Sequence, residues 1–265
     1  MHHSALLNVM IAAARKAARA LKRDFGELEK LQVSLKGPGN FVTAADRRAE
    51  ETLYAELIKA RRGYSFLGEE GGQRVGADTS HCWIVDPLDG TTNFLHGIPQ
   101  FAISIALERE DAIVAGLVYN PASDEMFLAE KGKGAFLNDQ RIRVAGRKRL
   151  ADAVIACGLP HIGRGDLVLA HKETGLVQGQ VAGLRRFGAA ALDMAWVAAG
   201  RLDGYWERDI KPWDIAAGLI LVREAGGFVT GCEGADDALA GGNVVAGNET
   251  IQKELVRVLK EAAKG

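Results

Sequence analysis

Cysteine is scarce in this chain: Cys82, Cys157 and Cys232 are the only three among 265 residues, widely spaced and odd in number. Without CxxC spacing or small-domain density they make no disulfide framework, and they read as free thiols in a reducing compartment, with no catalytic role expected. Histidine lacks pattern as well. His81, His96, His161 and His171 show no zinc-ligand spacing, so a zinc centre is not expected. Nor is there an excess of charge of either sign. The 33 basic side chains are balanced by 34 acidic ones, a formal net charge of -1, which leaves no global positive field for nucleic acid or anionic lipid, although it leaves room for a local basic patch. The longest apolar stretches, such as residues 189–199, are interrupted by Asp193 and fall short of the roughly 20 residues that cross a bilayer. The start, Met1-His2-His3-Ser4, runs into an alanine-rich segment with Arg15, Lys16 and Arg19. That order is not secretory, and the chain reads as mature, cytoplasmic protein.

Hydrophobic residues make up 48% of the chain and charged residues 25%, the balance of a globular protein able to bury a substantial core in one large domain or two smaller ones. Apolar residues at three- and four-residue spacing predict an amphipathic helix over 5–24. A turn-rich crossing follows at 36–40. A second helix is expected from Thr43, whose hydroxyl can cap it, to about Ala60. The period then shortens: strands are expected at 64–67, 82–85, 101–107, 113–119, 126–129 and 135–137. Two helices followed by a mainly antiparallel sheet make an α+β unit over 1–143. Beyond it strands at 154–156, 184–187, 202–206 and 244–246 alternate with helices at 165–178, 190–199, 213–224 and 249–262. This second part, 144–265, reads as an α/β unit with a mixed sheet.

The chemistry-bearing residues are carboxylates at the ends of these elements. Gly68-Glu69-Glu70 closes one strand, Asp86-Pro87-Leu88-Asp89-Gly90 closes another, and Pro212-Trp213-Asp214 opens a late helix. All are oxygen donors, a set that suits Mg2+. Pro87 removes a backbone donor and restricts the turn expected between Asp86 and Asp89. Gly90 permits close backbone approach, and a helix starting there would face the N–H groups of Gly90, Thr91 and Thr92 to the same pocket, where they could grip phosphate. Taken alone, the same five residues also fit a plain Asx-type surface turn. Neither a GxxxxGK[ST] loop nor a kinase signature set occurs, which argues against a phosphotransferase.

The longer segments are more specific. Trp83-Ile84-Val85-Asp86-Pro87-Leu88-Asp89-Gly90-Thr91-Thr92-Asn93-Phe94 and Pro212-Trp213-Asp214-Ile215-Ala216-Ala217-Gly218 closely resemble the two signatures of the inositol monophosphatase family, metal-dependent phosphatases of sugars and polyols. Phe41-Val42-Thr43-Ala44-Ala45-Asp46 and Phe66-Leu67-Gly68-Glu69-Glu70 fit two earlier family elements, in the expected order. The resemblance implies a layered α-β-α-β-α sandwich, with the active site between the two units and a homodimer as the assembly. It implies that Glu69, Asp86 and the carbonyl of Leu88 bind one Mg2+, that Asp86, Asp89 and Asp214 bind a second, and that a weaker third ion sits by Glu69. Mn2+ would substitute and Li+ would inhibit. Glu69 and Thr91 would activate the attacking water, with Asp46 supporting Thr91.

On the substrate side, Gly188, Ala189 and Ala190 resemble the family's helix start that leaves room for a polyol ring. Glu207 would accept ring hydroxyls, Asp89 would touch both metal and substrate, and Asp193 stands between a pocket role and a packing role. Lys36 would balance charge at the phosphate site. One departure stands out: relatives commonly carry glycine where this chain has Asp209, and Arg208 or Lys211 beside it could favour a second anionic group. The substrate implied is an inositol monophosphate, with fructose 1,6-bisphosphate, histidinol phosphate and a 3′-phosphonucleotide as alternatives. A noncatalytic binding role toward nucleic acid or protein stays open beside it. Trp83 and Trp213 are expected to pack the scaffold; the placement of the Trp206 ring is left open.

Overall fold

Ser4 starts the first helix by accepting a hydrogen bond from the Leu7 amide at 3.1 Å. The helix α1 (Ala5–Phe25) buries Leu7, Met10, Ala14, Ala17 and Leu21, the stripe that the spacing predicts. The computed structural model describes residues 3–27, 33–37, 40–162 and 165–264, with the backbone alone at 33–37 and 40–42. Strands β1 (Val33–Gly37) and β2 (Asn40–Thr43) pair antiparallel; the turn at Pro38 and Gly39 and the Lys36 side chain lie outside the described residues. Thr43 then caps α2 (Ala44–Ala60), accepting from the Ala45 and Asp46 amides while Asp46 accepts from the Thr43 backbone. This reciprocal box satisfies donors that a helix start would otherwise leave unpaired.

The first large sheet contains β3 (Tyr64–Gly68), β4 (Gly72–Arg74), β5 (Asp78–Asp89), β6 (Ala102–Arg109), β7 (Ala112–Asn120), β8 (Glu125–Glu130), β9 (Gly134–Leu137) and β10 (Gln140–Ile142). Their order is β10-β9-β8-β7-β6-β5-β3-β4. Only β3 and β5 run parallel within it. A short helix, α3 (Thr91–Leu95), follows β5. The second sheet, ordered β12-β11-β13-β15-β14, is mixed. It comprises β11 (Val154–Cys157), β12 (Gly183–Arg185), β13 (Gly204–Arg208), β14 (Phe228–Thr230) and β15 (Asn243–Gly247), connected through α4 (Leu167–Gln178), α5 (Ala190–Ala198), α6 (Pro212–Glu224) and α7 (Ala238–Gly241), with α8 (Glu249–Lys264) last.

Strand alternation sorts the core into three apolar clusters. Trp83 and Val85 point to the α1–α2 side, where they join Met10, Leu21, Leu53 and Phe66. Ile84, between them, points the other way and joins Met194, Ile220, Tyr205 and Val244 in a cluster that binds both sheets to α5 and α6. Ile155, Trp206 and Val245 face outward from the second sheet onto Val177 of α4 and Leu255 and Leu259 of α8. Helices, sheet, helices, sheet and helices therefore stack in five layers, as the resemblance implies. Each fully buried side chain such as Phe66 or Leu53 contributes about 1.5–3 kcal/mol. The middle layer comes from residues beyond 189, so the core runs unbroken between the two sheets.

Two expectations need correction. The segment Asp86-Pro87-Leu88-Asp89 is not a turn after a strand but the end of the 12-residue strand β5. Asp86 faces Ser104 and Asp89 faces Ala102 across β6, so β5 carries one extra residue there. That is a bulge, one of the few sheet positions that tolerates a proline without its N–H. The strand expected at 184–187 ends at Arg185, leaving Phe187 in the loop before α5.

Candidate active site

The parallel pair β3–β5 sends both chain directions to one edge, where their carboxylates emerge. Glu69 follows β3, its amide donating to the Val85 carbonyl at 3.2 Å. Glu50 of α2 fixes this loop, accepting from the Glu70 amide at 2.8 Å and the Gly71 amide at 2.7 Å. Asp86, 2% exposed, accepts from the Leu88 amide across the bulge at 2.9 Å. Asp89 reaches the second half of the chain, accepting from the Ala191 amide of α5 at 2.7 Å. The first turn of α6 brings Asp214, which accepts from the Lys211 amide at 2.9 Å and lies beside Asp86. Ser104 steadies that turn by donating to the Trp213 carbonyl at 3.1 Å.

Thr91 lies over this group. Its hydroxyl stands 3.0 Å from Asp46 Oδ1 and 3.1 Å from the Leu88 carbonyl, and its one proton serves one of them at a time. Asp46 is held in turn by the Thr43 amide at 2.9 Å and the Thr43 hydroxyl. Gly90, with φ of 87°, sits where a Cβ would come within 2.8 Å of the Gln100 carbonyl oxygen, so both backbone conformation and space call for glycine. Asn93 ties α3 to the loop before α5 by donating to the Gln100 and Phe187 carbonyls at 2.8 and 2.7 Å.

A cleft of about 150 Å³ gathers Glu69, Asp86, Leu88, Asp89 and Asp214 on one side. Gly90, Thr91 and Thr92 line it too, as do Gly188, Ala189, Ala190 and Glu207. The predicted metal ligands, Thr91 and the predicted phosphate and ring contacts therefore all face one space, and Asp46 reaches it through Thr91. Glu207 is folded over Gly158, where a Cβ would overlap its carboxyl carbon at 1.8 Å, and accepts from the Tyr205 hydroxyl.

Crowding and burial set the protonation of these acids. Asp86 is held well above the usual carboxylate range, first by burial and then by the charges of Glu69, Asp89 and Asp214. Asp89 is raised in the same way by burial and by Asp214. Asp214 is pushed up to about 7 by burial, with Glu69 and Glu207 adding to it. Glu207 is also raised to about 7 by burial, against the Tyr205 hydrogen bond and the Arg186 charge. The three thiols are raised by burial, Cys157 and Cys232 to about 12 and Cys82 to about 11, which leaves them protonated and poor nucleophiles.

The sign of the linkage follows. Folded values above the ordinary 3.8 of Asp214 and 4.5 of Glu207 favour the neutral forms, so the stability they contribute is complete at acid pH and is lost as pH rises through about 7. A divalent cation needs the ionised forms and would reverse this loss. The rise in melting temperature caused by Mg2+ is therefore expected to be larger at about pH 8 than at about pH 5.5, measured by differential scanning calorimetry. A Mg2+ effect that shrinks with rising pH would count against cation binding by these acids.

Among the described residues, no three His, Cys, Asp or Glu side chains stand in an arrangement that would hold a metal ion as they are. The acids are tied to backbone amides instead. Their chemistry nonetheless fits a hard cation: the donors are oxygens only, and their mutual repulsion is what a divalent charge would offset.

Several side chains lie where the sequence does not place them. Arg208 turns from the cleft to pair with Glu173 at 2.7 Å, so it is not a second anion site in this cleft. Lys211 is exposed and does not line the cleft. The Trp206 ring is buried and donates to Glu173 at 3.3 Å. Asp209 adopts φ of 56°, left-handed backbone that glycine enters freely and aspartate tolerates better than most residues. Arg186, His161 and Asp193 do line the cleft. Arg186 and His161 carry no sequence signal beyond their nearness to Gly188 and Cys157, and Glu50 none.

Five layers converging on an oxygen-lined cleft are the architecture of the layered sugar and polyol phosphatases. The chain belongs to the Inositol monophosphatase family, whose sequence profile matches residues 2–264. It is 61% identical to an inositol-1-monophosphatase of Mesorhizobium japonicum, over 98% of each chain. It is 42% identical to the Nus factor SuhB of Pseudomonas aeruginosa, over 96% of each. The crystal structure of the extragenic suppressor protein suhB of Bartonella henselae, 56% identical, matches with a TM-score of 0.95 over 97% of this chain and 99% of that one. Family membership supports a phosphatase and fits metal dependence. No helix among the described residues is long and apolar enough to cross a membrane.

Proposed function

We propose that the protein is a Mg2+-dependent phosphomonoester hydrolase whose substrate is a myo-inositol monophosphate, released as myo-inositol and phosphate. The observation that carries this reading is the single cleft joining Glu69, Asp86, Asp89 and Asp214 to Thr91. Glu69, Asp86, Asp89, Asp214 and the Leu88 carbonyl would hold two or three ions, with Asp86 shared. Bound Mg2+ supplies the charge that offsets repulsion between phosphate and incoming water and stabilises the departing alkoxide.

The chain's own residues do the rest. Glu69 and Thr91 orient the attacking water, and Thr91 can accept a hydrogen bond from it while donating to Asp46. The backbone at Gly90, Thr91 and Thr92 receives the phosphate. Gly188, Ala189 and Ala190 leave space for the ring, and Glu207 accepts its hydroxyls. Water attacks phosphorus directly, in line with the leaving oxygen, and no phosphoenzyme forms. We further assign the protein to the cytoplasm as a homodimer, with Mn2+ able to replace Mg2+ and Li+ inhibitory.

Phosphate release from inositol monophosphates, fructose 1,6-bisphosphate, histidinol phosphate and a 3′-phosphonucleotide, each with Mg2+ and with chelator, tests this. The highest kcat/KM is expected for an inositol monophosphate, lost with chelator. A preference for any other member reassigns the substrate, and Mg2+-independent turnover rejects the metal reading. The relatives named Nus factor SuhB support a second role in contact with protein or nucleic acid, beside the hydrolysis rather than in place of it.

A further inference from the structure

Asp193 differs from the other buried acids of the cleft. Asp86, Asp89 and Asp214 each accept a backbone amide hydrogen bond, and Asp46 accepts several. Asp193, 1% exposed, lines the same cleft, yet its Oδ1 has no hydrogen-bond partner. A buried carboxylate oxygen without a donor costs free energy that a ligand donor would recover.

Its position says which part of a ligand would supply that donor. Asp193 stands in the first turn of α5, past the small residues Gly188, Ala189 and Ala190, on the side of the cleft that holds Glu207. Burial and then the nearby Glu207 charge push the Asp193 carboxyl up, against the pull of Arg186. Arg186, an exposed side chain, is the one arginine or lysine lining the cleft among the described residues. A second phosphate placed here would meet two acids, which once ionised can only accept, against one guanidinium. A pair of hydroxyls would instead give a donor to each acid.

Resting on the phosphatase reading above, we propose that Asp193 is a specificity-determining residue. Beside Glu207 it accepts a hydroxyl at the end of the substrate away from the phosphate, so that the site selects monophosphates of uncharged vicinal polyols and turns away bisphosphates. Sites that hydrogen bond a substrate hydroxyl discriminate strongly, because an analogue without it leaves the buried acceptor unpaired.

The test compares wild type with Asp193→Asn and Asp193→Ser on three probes: myo-inositol 1-phosphate, p-nitrophenyl phosphate and fructose 1,6-bisphosphate. The kcat/KM ratio of inositol phosphate to p-nitrophenyl phosphate is expected to fall at least about tenfold in both variants, with KM carrying the loss. The ratio of bisphosphate to inositol phosphate is expected to rise. Ratios within about twofold of wild type in both variants would overturn the inference, as would equal losses on every probe. Wild-type protein that hydrolyses none of the polyol phosphates would instead overturn the phosphatase reading on which it rests.

Discussion

Asp86→Asn is expected to lower Mg2+-dependent phosphate release by at least about 100-fold while the protein stays folded. Asp86 sits among Glu69, Asp89 and Asp214, and as the proposed shared ligand it would serve more than one ion. Asparagine keeps its shape and can still accept from the Leu88 amide, so the bulge in β5 has no reason to collapse. Replacing a carboxyl whose ionisation is disfavoured by burial and by three acids should also raise the melting temperature of the metal-free protein. Mg2+ should then add little further stability. Steady-state kinetics over a range of Mg2+, with calorimetry on the same samples, measures both effects. Wild-type turnover by the variant at saturating Mg2+ would remove Asp86 from the ligand set.

Thr91→Val should cost turnover roughly 10- to 100-fold with KM changed by less than about threefold. Valine matches threonine in size but cannot donate a hydrogen bond to Asp46 or the Leu88 carbonyl. Asp46 would retain its two contacts with Thr43, so the cap of α2 should survive, and the stability loss should stay at about 1 kcal/mol. A variant with unchanged kcat would leave Thr91 a structural link between α2 and α3. The contrast with Asp86→Asn is informative, because only the aspartate change should weaken the response to Mg2+.

Elements with strong periodicity were legible before the structure. Residues 5–24 repeat their apolar positions over five turns, and Thr43 with Asp46 spells a helix cap, so α1 and α2 follow from local rules. Strands β4, β10 and β14, three residues each, are too short to show a period, and they exist because a neighbouring strand pairs with them. The end of β5 departs from its local signal for a different reason: Pro87 and two aspartates signal a turn locally, while the pairing of Asp86 and Asp89 with β6 makes the same residues a bulge.

The candidate site divides along the same line. Its acids could be identified by type, order and family resemblance, but their meeting depends on the parallel pair β3–β5 and on α6 crossing beneath it. Arg208 shows the limit. Beside Glu207 in sequence, it has the look of an anion ligand, yet Glu173, 35 residues away, takes it. Strand alternation sends Glu207 and Arg208 to opposite faces of β13. Arg186 and Asp193 enter the cleft through the loop and first turn around Gly188, a placement that no periodic rule predicts.

What everything else depends on is that the acids of β3, β5 and α6, distant in sequence, share divalent cations. Crystals grown with Mn2+ and inorganic phosphate, with an anomalous difference map collected at the manganese edge, address this in one step. Peaks bounded by Glu69, Asp86, Asp89 and Asp214, with phosphate beside them near Thr91, are expected. A well-ordered cleft with phosphate present and no anomalous peak among those four side chains would refute cation sharing.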